Sequence, residues 1–300
     1  MIGTKKTKIK SAIEYEILLL PALIGFAVVF MYPAVKSLIY SFTDYSVFNR
    51  TISFIGLQNF IELFHDDRMT AAIKNSILYA VLFTFLQSAL AIPLAVALDS
   101  KIRTRNVLRT IFYMPHIFSA LIIGFVWSFN LSTSAFGLIN NTLRDIGLGF
   151  LAQNWLGDPH IAIYSCIFVA VWQGTGYAMM LYVANLQSVP REMYEAARID
   201  GASAFQTFRY ITLSFLAPAM TITTLTGMIA GLKVYEQIVA LTNGGPGYAT
   251  ETLTTALMYR GFTENRYGYA SALAVMMMLG IMVISFFQLR ILSKREDKLL

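Results

Sequence analysis

The sequence is poor in charge, in cysteine and in histidine, and each shortage excludes a class of protein. Charged residues make up 13% of the 300 residues, about half the share that is typical of a soluble globular chain. The one cysteine, Cys166, excludes an internal disulfide framework and a four-cysteine zinc site. Three histidines without an HExxH motif leave little for a metalloenzyme. The dipeptide Gly-Lys never occurs, so the sequence has no phosphate loop, and no Ser/His/Asp or Cys/His set can be assembled.

Long uncharged runs stand where a soluble protein would have alternating polar residues. Hydrophobic residues make up 56% of the chain, and six gaps between consecutive charged residues hold 19 to 34 residues each. A helix needs about 20 apolar residues to cross a bilayer core, and backbone groups in lipid must be satisfied within the segment. The sequence therefore predicts an all-α polytopic membrane protein with six transmembrane helices, at about 17–40, 72–98, 110–130, 160–184, 211–238 and 269–291.

Lysine and arginine are distributed unevenly over the predicted loops, which orients the chain. With both termini in the cytoplasm, 15 of these residues fall on the cytoplasmic side and six on the other. The net charge of +6 therefore indicates topology and contact with a lipid bilayer, and its distribution indicates no nucleic acid. The first apolar run reaches Tyr40 without a cleavage site, so it predicts a helix and not a signal peptide. The predicted organisation is a cytoplasmic tail 1–13, a six-helix domain 14–292 and a cytoplasmic tail 293–300.

Ionisable residues within the predicted helices are the usual mark of an ion or proton relay. Here the candidates are Lys36, Lys233 and Glu236, all toward the outer ends of their helices. An ion-coupled carrier more naturally places such groups near the midplane, and we expect Lys233 and Glu236, one turn apart, to pair with each other. The sequence therefore predicts a translocation pathway without an energy source of its own, so that another subunit must drive transport. An ion-coupled secondary transporter or channel is the alternative, and an intramembrane enzyme has the least support.

The cytoplasmic loop between the fourth and fifth helices, residues 188–210, carries the signals of two short helices. Pro190 suits the first position of a helix, and Gly201 suits a left-handed residue just beyond its end. Ser203 and Gln206 predict a capping box at the start of a second helix. An amphipathic helix lying on lipid headgroups would explain part of this pattern. The alanine pair beside the bend favours packing against a protein surface.

The segment Glu195-Ala-Ala-x-x-Asp-Gly201 resembles the EAA loop of ABC-importer permeases. Four further segments resemble the carbohydrate-uptake class, which includes the maltose and glycerol-3-phosphate permeases: FIGLQNF (54–60), WLGDP (155–159), WQGTGY (172–177) and LTNGGP (241–246). The resemblance extends from about residue 14 to residue 292. One departure is Ser214, which stands where the family often has proline, so we expect a less kinked entry to the fifth helix.

The resemblance implies the permease subunit of a binding-protein-dependent ABC sugar importer, with the type I ABC importer permease fold, in a bacterial cytoplasmic (inner) membrane. It implies contact with a separate ATPase through Glu195, Ala196, Ala197, Asp200 and Gly201. Its implied partners are two ATPase subunits that carry ATP and Mg, a second homologous permease subunit, and an extracytoplasmic solute-binding protein. This chain is expected to bind no cofactor and to catalyse no reaction. The expected substrate is a sugar or oligosaccharide; glycerol phosphate, a polyol or an acidic oligosaccharide is the alternative.

Residues on both sides of the cytoplasmic loop are candidates for a substrate cavity, because a sugar needs hydrogen-bond partners for its hydroxyls and an aromatic face for its C–H groups. Gln173 and Tyr177 are four residues apart and share one helix face. The candidates are Gln173, Gly174 and Tyr177 on the fourth helix, and Gly227, Gly231 and Tyr235 on the fifth. For the glycines of the fourth helix alone, Gly174 and Gly176, tight helix packing is an equally good explanation.

A glycine-rich segment follows the fifth predicted helix. Its local chemistry is that of a turn between two spans, while the resemblance implies a loop at the cavity mouth where the binding protein docks. The docking candidates are Asn243, Gly244, Gly245 and Pro246. Residues 41–71 and 131–159 would complete that surface, with residues 60–64 as a short interfacial helix.

Overall fold

A computed structural model describes residues 18–49, 51–100, 102–134 and 137–296, apart from the side chain of residue 295. These residues are predominantly helical, and their one extended pairing is an isolated antiparallel bridge between Thr43 and Phe54. The all-α prediction is therefore confirmed for the described chain. The predicted tail 1–13 and residues 297–300 of the predicted tail 293–300 lie outside the described residues.

We label the helices in chain order. They are α1 Leu18–Tyr40, α2 Gln58–His65, α3 Asp67–Asp99, α4 Arg105–Ile117, α5 Ala120–Asn130, α6 Leu138–Asp145, α7 Ala162–Leu186, α8 Arg191–Ile199, α9 Ala204–Phe215, α10 Ala217–Leu232, α11 Glu236–Leu241, α12 Leu253–Met258 and α13 Tyr267–Glu296. A π-helical turn lies inside α1 and another inside α9. The predicted short helix at 60–64 lies within α2.

Four of these helices, α1, α3, α7 and α13, are each long and apolar enough to cross a membrane. Two further pairs of helices, α4 with α5 and α9 with α10, are long and apolar enough to cross a membrane if each bent pair is counted as one span. The axes of α4 and α5 differ by 96°, and those of α9 and α10 by 65°. The structure therefore supports four to six spans, and the third and fifth predicted helices are not continuous.

The break in the third predicted helix has a local cause that a search for uncharged runs does not detect. Pro115 lies near the end of α4 and has no backbone N–H to donate. Phe118 follows with an extended backbone, ψ 148°. The Ser119 side chain then accepts a hydrogen bond of 3.3 Å from the Leu121 N–H and so begins α5 as its N-cap.

The fifth predicted helix bends at its entry and ends early. The Ser214 hydroxyl donates to the Tyr210 carbonyl at 2.8 Å, a bond that bends helices, and Pro218 stands in the first turn of α10. The entry to the fifth helix is therefore strongly bent without proline at 214, and a smaller kink than in family members with that proline stays a prediction. At the other end α10 stops at Leu232, and Tyr235 (φ −139°) precedes the short α11.

The chain divides into two compact units. The first holds the described residues up to Phe64 together with Leu257–Met276, and the second holds His65–Ala256 with the described residues from Met277 on. In the first unit, a two-pronged ion pair joins Arg266 to Glu62 at 2.7 and 2.6 Å. In the second, α3 packs along α7, and two apolar clusters line α7.

Burial differs sharply between the spans. Among the described residues, 67% of the most apolar stretch of α7 is buried, whereas none of the corresponding stretch of α1 is. Because α7 is hydrophobic all round and enclosed, it forms the centre of its unit. The apolar surface of α1 is not covered by the residues that the structure describes.

Candidate functional site

The structure brings the predicted cavity residues together. A cavity of about 570 Å³ lies among α3, α4, α7, α10 and the break before α11, all within the second unit. Its lining includes all six candidates: Gln173, Gly174, Tyr177, Gly227, Gly231 and Tyr235. A volume of this size is in the range of small-molecule sites. Substrate contact by these six residues stays a prediction.

Gln173 and Tyr177 face the cavity on the same side of α7, as their spacing predicts. Gln173 Nε2 donates at 3.0 Å to the Phe118 carbonyl, which lies at the break between α4 and α5. The Tyr177 ring stacks on His116 with 4.8 Å between centroids. Both side chains therefore hold the broken third helix in place as well as lining the cavity.

Gln87, which the sequence predictions did not include, packs against two of the cavity glycines, Gly174 and Gly227. Gln87 Nε2 donates to the Gly174 carbonyl at 2.8 Å. A Cβ added to Gly174 would lie 2.8 Å from that same nitrogen, and one added to Gly227 would lie 3.3 Å from Gln87 Oε1. The two glycines therefore leave room for the Gln87 side chain. A polar residue in the middle of a long uncharged run was the signal that could have found it.

Gly231 serves helix packing directly. A Cβ at this position would lie 2.5 Å from the Cα atom of Ala80 on α3, a distance that no side chain can occupy. Gly231 therefore lets α10 and α3 approach closely, and it lines the cavity at the place where they meet.

Replacing Gly176 on α7 by a residue with a side chain is expected to disturb the packing of α7 against α4. A Cβ there would overlap the backbone carbonyl of Phe112 on α4, and backbone cannot move aside cheaply. Gly176→Ala is expected to destabilise the protein by about 1–3 kcal/mol through overpacking, measured as thermal unfolding of the purified chain in detergent. Gly280→Ala is the matched control, because a Cβ at Gly280 meets nothing within 4 Å. Equal unfolding temperatures for the two variants would contradict the prediction.

The expected pairing of Lys233 with Glu236 is wrong. Among the described residues no ion pair joins the two side chains, and both are exposed and line the cavity. Lys233 ends α10 and Glu236 begins α11, so the helical spacing that would bring them together is interrupted. Two charges of opposite sign therefore face the cavity.

A second hydrogen-bonded pair in the cavity wall also lay outside the sequence predictions. The hydroxyl of Tyr79 on α3 donates to Gln237 Oε1 on α11 at 2.6 Å, and both side chains are buried. Gln237 stands alone as an amide in the apolar run of α11. That isolation was the available signal, but nothing in the sequence indicates Tyr79 as its partner.

The cytoplasmic loop folds as its capping signals predict. The helix α8 ends in a left-handed Gly201 (φ +75°), with the Gly201 N–H bonded to the Arg198 carbonyl at 3.1 Å and the Ala202 N–H to the Ala197 carbonyl at 2.9 Å. These two bonds are the Schellman pattern. Ser203 and Gln206 form both bonds of the predicted capping box. Pro190 is the N-cap, one residue earlier than predicted.

The part of the chain that the structure describes buries no side chain of α8. The predicted ATPase-contact residues Glu195, Ala196, Asp200 and Gly201 are exposed, and Ala197 is half-buried. Two large apolar side chains flank them, Ile199 with 87% and Phe205 with 73% of its surface exposed. A helix that leaves charged and apolar groups uncovered together has the chemistry of a protein-contact surface.

The glycine-rich segment after α11 is anchored to the start of α3. Asn75 Nδ2 donates to the carbonyls of Tyr248 and Glu251, each at 3.0 Å. Arg68 pairs with Glu251 at 3.0 Å, with side chains that are 13% and 4% exposed. These contacts hold the loop in place against α3.

The four predicted docking residues are not equally accessible. Asn243 is exposed, Gly245 and Pro246 are half-buried, and Gly244 is buried. A Cβ on Gly244, which has φ +85°, would lie 2.7 Å from Glu251 Oε2. Gly244 therefore makes room for the buried carboxylate, and Asn243, Gly245 and Pro246 form the outer surface.

The chain belongs to the family of binding-protein-dependent transport system inner membrane components, whose family model matches residues 68–298. It is therefore a transport subunit of the permease type and not an ATPase subunit. The match confirms the family inferred from the EAA-like loop and its companion segments.

Individual relatives agree with the family match. The chain is similar to the probable ABC transporter permease protein YurN of Bacillus subtilis, 36% identical over 288 residues, or 93% of this chain and 96% of that one. It is similar to AmyD of Thermoanaerobacterium thermosulfurigenes, a probable starch degradation products transport system permease, 33% identical over 293 residues, or 97% and 98%. Its fold is similar to a bacterial alginate ABC transporter solved with an alginate pentasaccharide-bound periplasmic protein (TM-score 0.81, 26% identity, 94% of each chain).

Proposed function

We propose that this chain is one of two permease subunits of an ATP-driven importer that moves a sugar or oligosaccharide across a bacterial inner membrane. The observation that carries the proposal is the 570 Å³ cavity lined by amides, hydroxyls and aromatic rings in a chain of the binding-protein-dependent family. The sugar substrate is supported by the relatives, whose names include starch degradation products and alginate. In the proposed topology there are six spans, each bent pair counting as one, and both termini are cytoplasmic.

The proposed energy source is a pair of separate ATPase subunits that carry ATP and Mg. The exposed surface of α8, with Glu195 to Gly201, is the proposed contact with one of them, and the homologous permease subunit would supply the other contact. The uncovered apolar surface of α1 supports a protein or lipid neighbour in the membrane. An extracytoplasmic solute-binding protein would deliver the sugar at the loop that contains Asn243 and Pro246.

We further propose that the sugar is neutral. Among the described residues that line the cavity, the fixed charges are Lys233 and Glu236, one of each sign and unpaired. An acidic oligosaccharide would gain attraction from Lys233 and lose a similar amount to repulsion by Glu236. A neutral oligosaccharide is free of that conflict and can hydrogen-bond to both side chains.

The test uses the complex purified from native membranes in mild detergent and reconstituted in vesicles with its binding protein. We expect ATP-dependent uptake of a neutral trisaccharide such as maltotriose, and little uptake of an alginate trisaccharide. Glu236→Gln is expected to raise the acidic-to-neutral uptake ratio, and Lys233→Gln to lower it. Uptake driven by an ion gradient without ATP would overturn the importer, and a preference for the acidic sugar in the unaltered complex would overturn the neutral substrate.

A further inference from the structure

Three glutamines line the cavity, and their side-chain donors are not used in the same way. Gln87 Nε2 donates to the Gly174 carbonyl, and Gln173 Nε2 donates to the Phe118 carbonyl. Gln237 Nε2 is buried and, within the described part of the chain, has no hydrogen-bond partner. The N–H2 groups of Gln87 and Gln173 therefore donate to backbone carbonyls, whereas that of Gln237 makes no hydrogen bond to the described residues.

The orientation of the Gln237 amide is fixed by its neighbour. Tyr79 lies on α3, and its hydroxyl donates to Gln237 Oε1 at 2.6 Å. A carboxamide whose oxygen accepts this short bond must turn its N–H2 group the other way. Tyr79 and Gln237 are 2% and 4% exposed, respectively, so bulk water does not compete freely for the donor.

An unpaired buried donor is costly, and folded proteins rarely retain one without a reason. Here the donor belongs to a side chain in the wall of a cavity whose other amides are satisfied. A ligand oxygen in the cavity would restore the missing hydrogen bond once a shift of the Gln237 side chain uncovers the donor, which is covered in this structure. A site built in this way discriminates strongly against an analogue that lacks the matching group, because the protein group is then left unpaired.

We infer that Gln237 is a substrate contact whose amide N–H2 donates to one hydroxyl oxygen of the transported sugar, and that Tyr79 is the residue that positions it. The inference rests on the proposed function, since it assumes a sugar in this cavity. It adds a specificity-determining pair, one residue from α3 and one from α11, to the six candidates that the sequence indicated.

The experiment removes the donor and the matching sugar hydroxyl in turn. The complete reconstituted importer is assayed at saturating sugar-loaded binding protein, so that delivery is equal for all variants. The probes are maltotriose, arabinotriose and cellotriose, followed by the monodeoxy derivatives of the one with the fastest uptake. Gln237→Met keeps the side-chain length and removes the donor, Tyr79→Phe removes the positioning hydroxyl, and Val239→Leu is the control on the same helix.

In the unaltered importer we expect one monodeoxy sugar to be transported about tenfold more slowly than its parent, the loss of one well-placed hydrogen bond. Gln237→Met is expected to transport the parent and that derivative at equal, reduced rates. Tyr79→Phe is expected to reduce the rate difference between the parent sugar and that derivative in part. Val239→Leu is expected to leave the rate difference unchanged.

Two outcomes would overturn the inference and leave the proposed function standing. One is an unaltered importer that moves a trisaccharide but treats every monodeoxy derivative like its parent. The other is Gln237→Met retaining the full discrimination. A complex that imports no sugar carried by its own binding protein when ATP is supplied would instead overturn the proposed function, on which the inference depends.

Discussion

Gly201→Asp is expected to reduce ATP-driven uptake by more than about tenfold while the permease still assembles in the membrane. Gly201 has φ +75° and ends α8 through the Schellman bonds. An L-residue in this region costs about 1–2 kcal/mol, and relaxing that strain would change the angle between α8 and α9. A misplaced α8 would no longer fit an ATPase surface, and about 1.4 kcal/mol of lost coupling is already a factor of ten. A second acidic group beside Asp200 adds repulsion.

The matched control is Gly147→Asp. Gly147 also has a left-handed backbone, φ +81°, and like Gly201 it has nothing within 4 Å of an added Cβ. Both are exposed glycines that follow a short helix, α6 in one case and α8 in the other. The local strain is therefore the same, and only the position in the molecule differs. Uptake and sugar-stimulated ATP hydrolysis are measured for both at saturating sugar-loaded binding protein, because Gly147 lies within the predicted docking residues 131–159. Similar losses in the two variants under these conditions would remove the coupling role from α8.

Glu195→Lys tests the same surface through charge. Glu195 is exposed and forms no ion pair within the described chain, so its reversal leaves the fold intact. If it meets a basic group on the ATPase, reversal replaces attraction by repulsion and uncouples hydrolysis from transport. Reversal of Glu192 on the same helix, which is also exposed, is the comparison that separates a specific contact from a general effect of charge.

The features that sequence predicted well are those whose causes are local. Capping at Ser203, the left-handed Gly201 and the end of α8 depend on residues within a few positions of one another, and each appears as predicted. The positions of α3 and α7 follow from long uncharged runs, because a membrane helix is selected by composition alone. The search for such runs failed at Pro115 and Ser119, where backbone chemistry ends a helix without any charge.

The arrangement of the cavity could be predicted only in part. Gln173 and Tyr177 share a face by helical periodicity, but the bond from Gln173 to Phe118 depends on a break that was not foreseen. The Tyr79–Gln237 pair joins residues 158 positions apart, and no local pattern specifies such a pairing. The charges of Lys233 and Glu236 were visible, yet their separation follows from the end of α10.

The buried ion pair between Arg68 and Glu251 predicts the largest stability effect in the described chain. Glu251→Ala is expected to destabilise the protein by about 3–5 kcal/mol, because it removes the carboxylate that pairs with the Arg68 guanidinium at a largely buried place. The carboxylate also accepts from the Thr255 hydroxyl at 3.3 Å, so its loss disturbs the start of α12 as well. Thermal unfolding in detergent measures the effect. Substituting both partners together, Arg68→Met with Glu251→Leu, should recover much of the loss, since an apolar pair leaves no charge unpaired.

The exposed ion pair between Arg266 and Glu62 is the control for the buried pair between Arg68 and Glu251. Its geometry is better, with two short bonds, but its side chains are 37% and 46% exposed. Breaking an exposed pair costs about 0–1 kcal/mol, since water solvates the remaining partner. Glu62→Ala is therefore expected to unfold close to the unaltered protein; an effect as large as that of Glu251→Ala would show that burial does not set the difference.

The same substitution connects stability to delivery of the sugar. Glu251 and Asn75 hold the loop from Asn243 to Tyr248 against α3, and Gly244 makes room for the carboxylate. If this loop receives the binding protein, releasing it should weaken docking even at temperatures where the permease stays folded. The affinity of the sugar-loaded binding protein for the reconstituted complex is expected to fall in Glu251→Ala and to stay unchanged in Glu62→Ala. Unchanged affinity in both variants would assign the buried pair to stability alone and place the docking surface elsewhere.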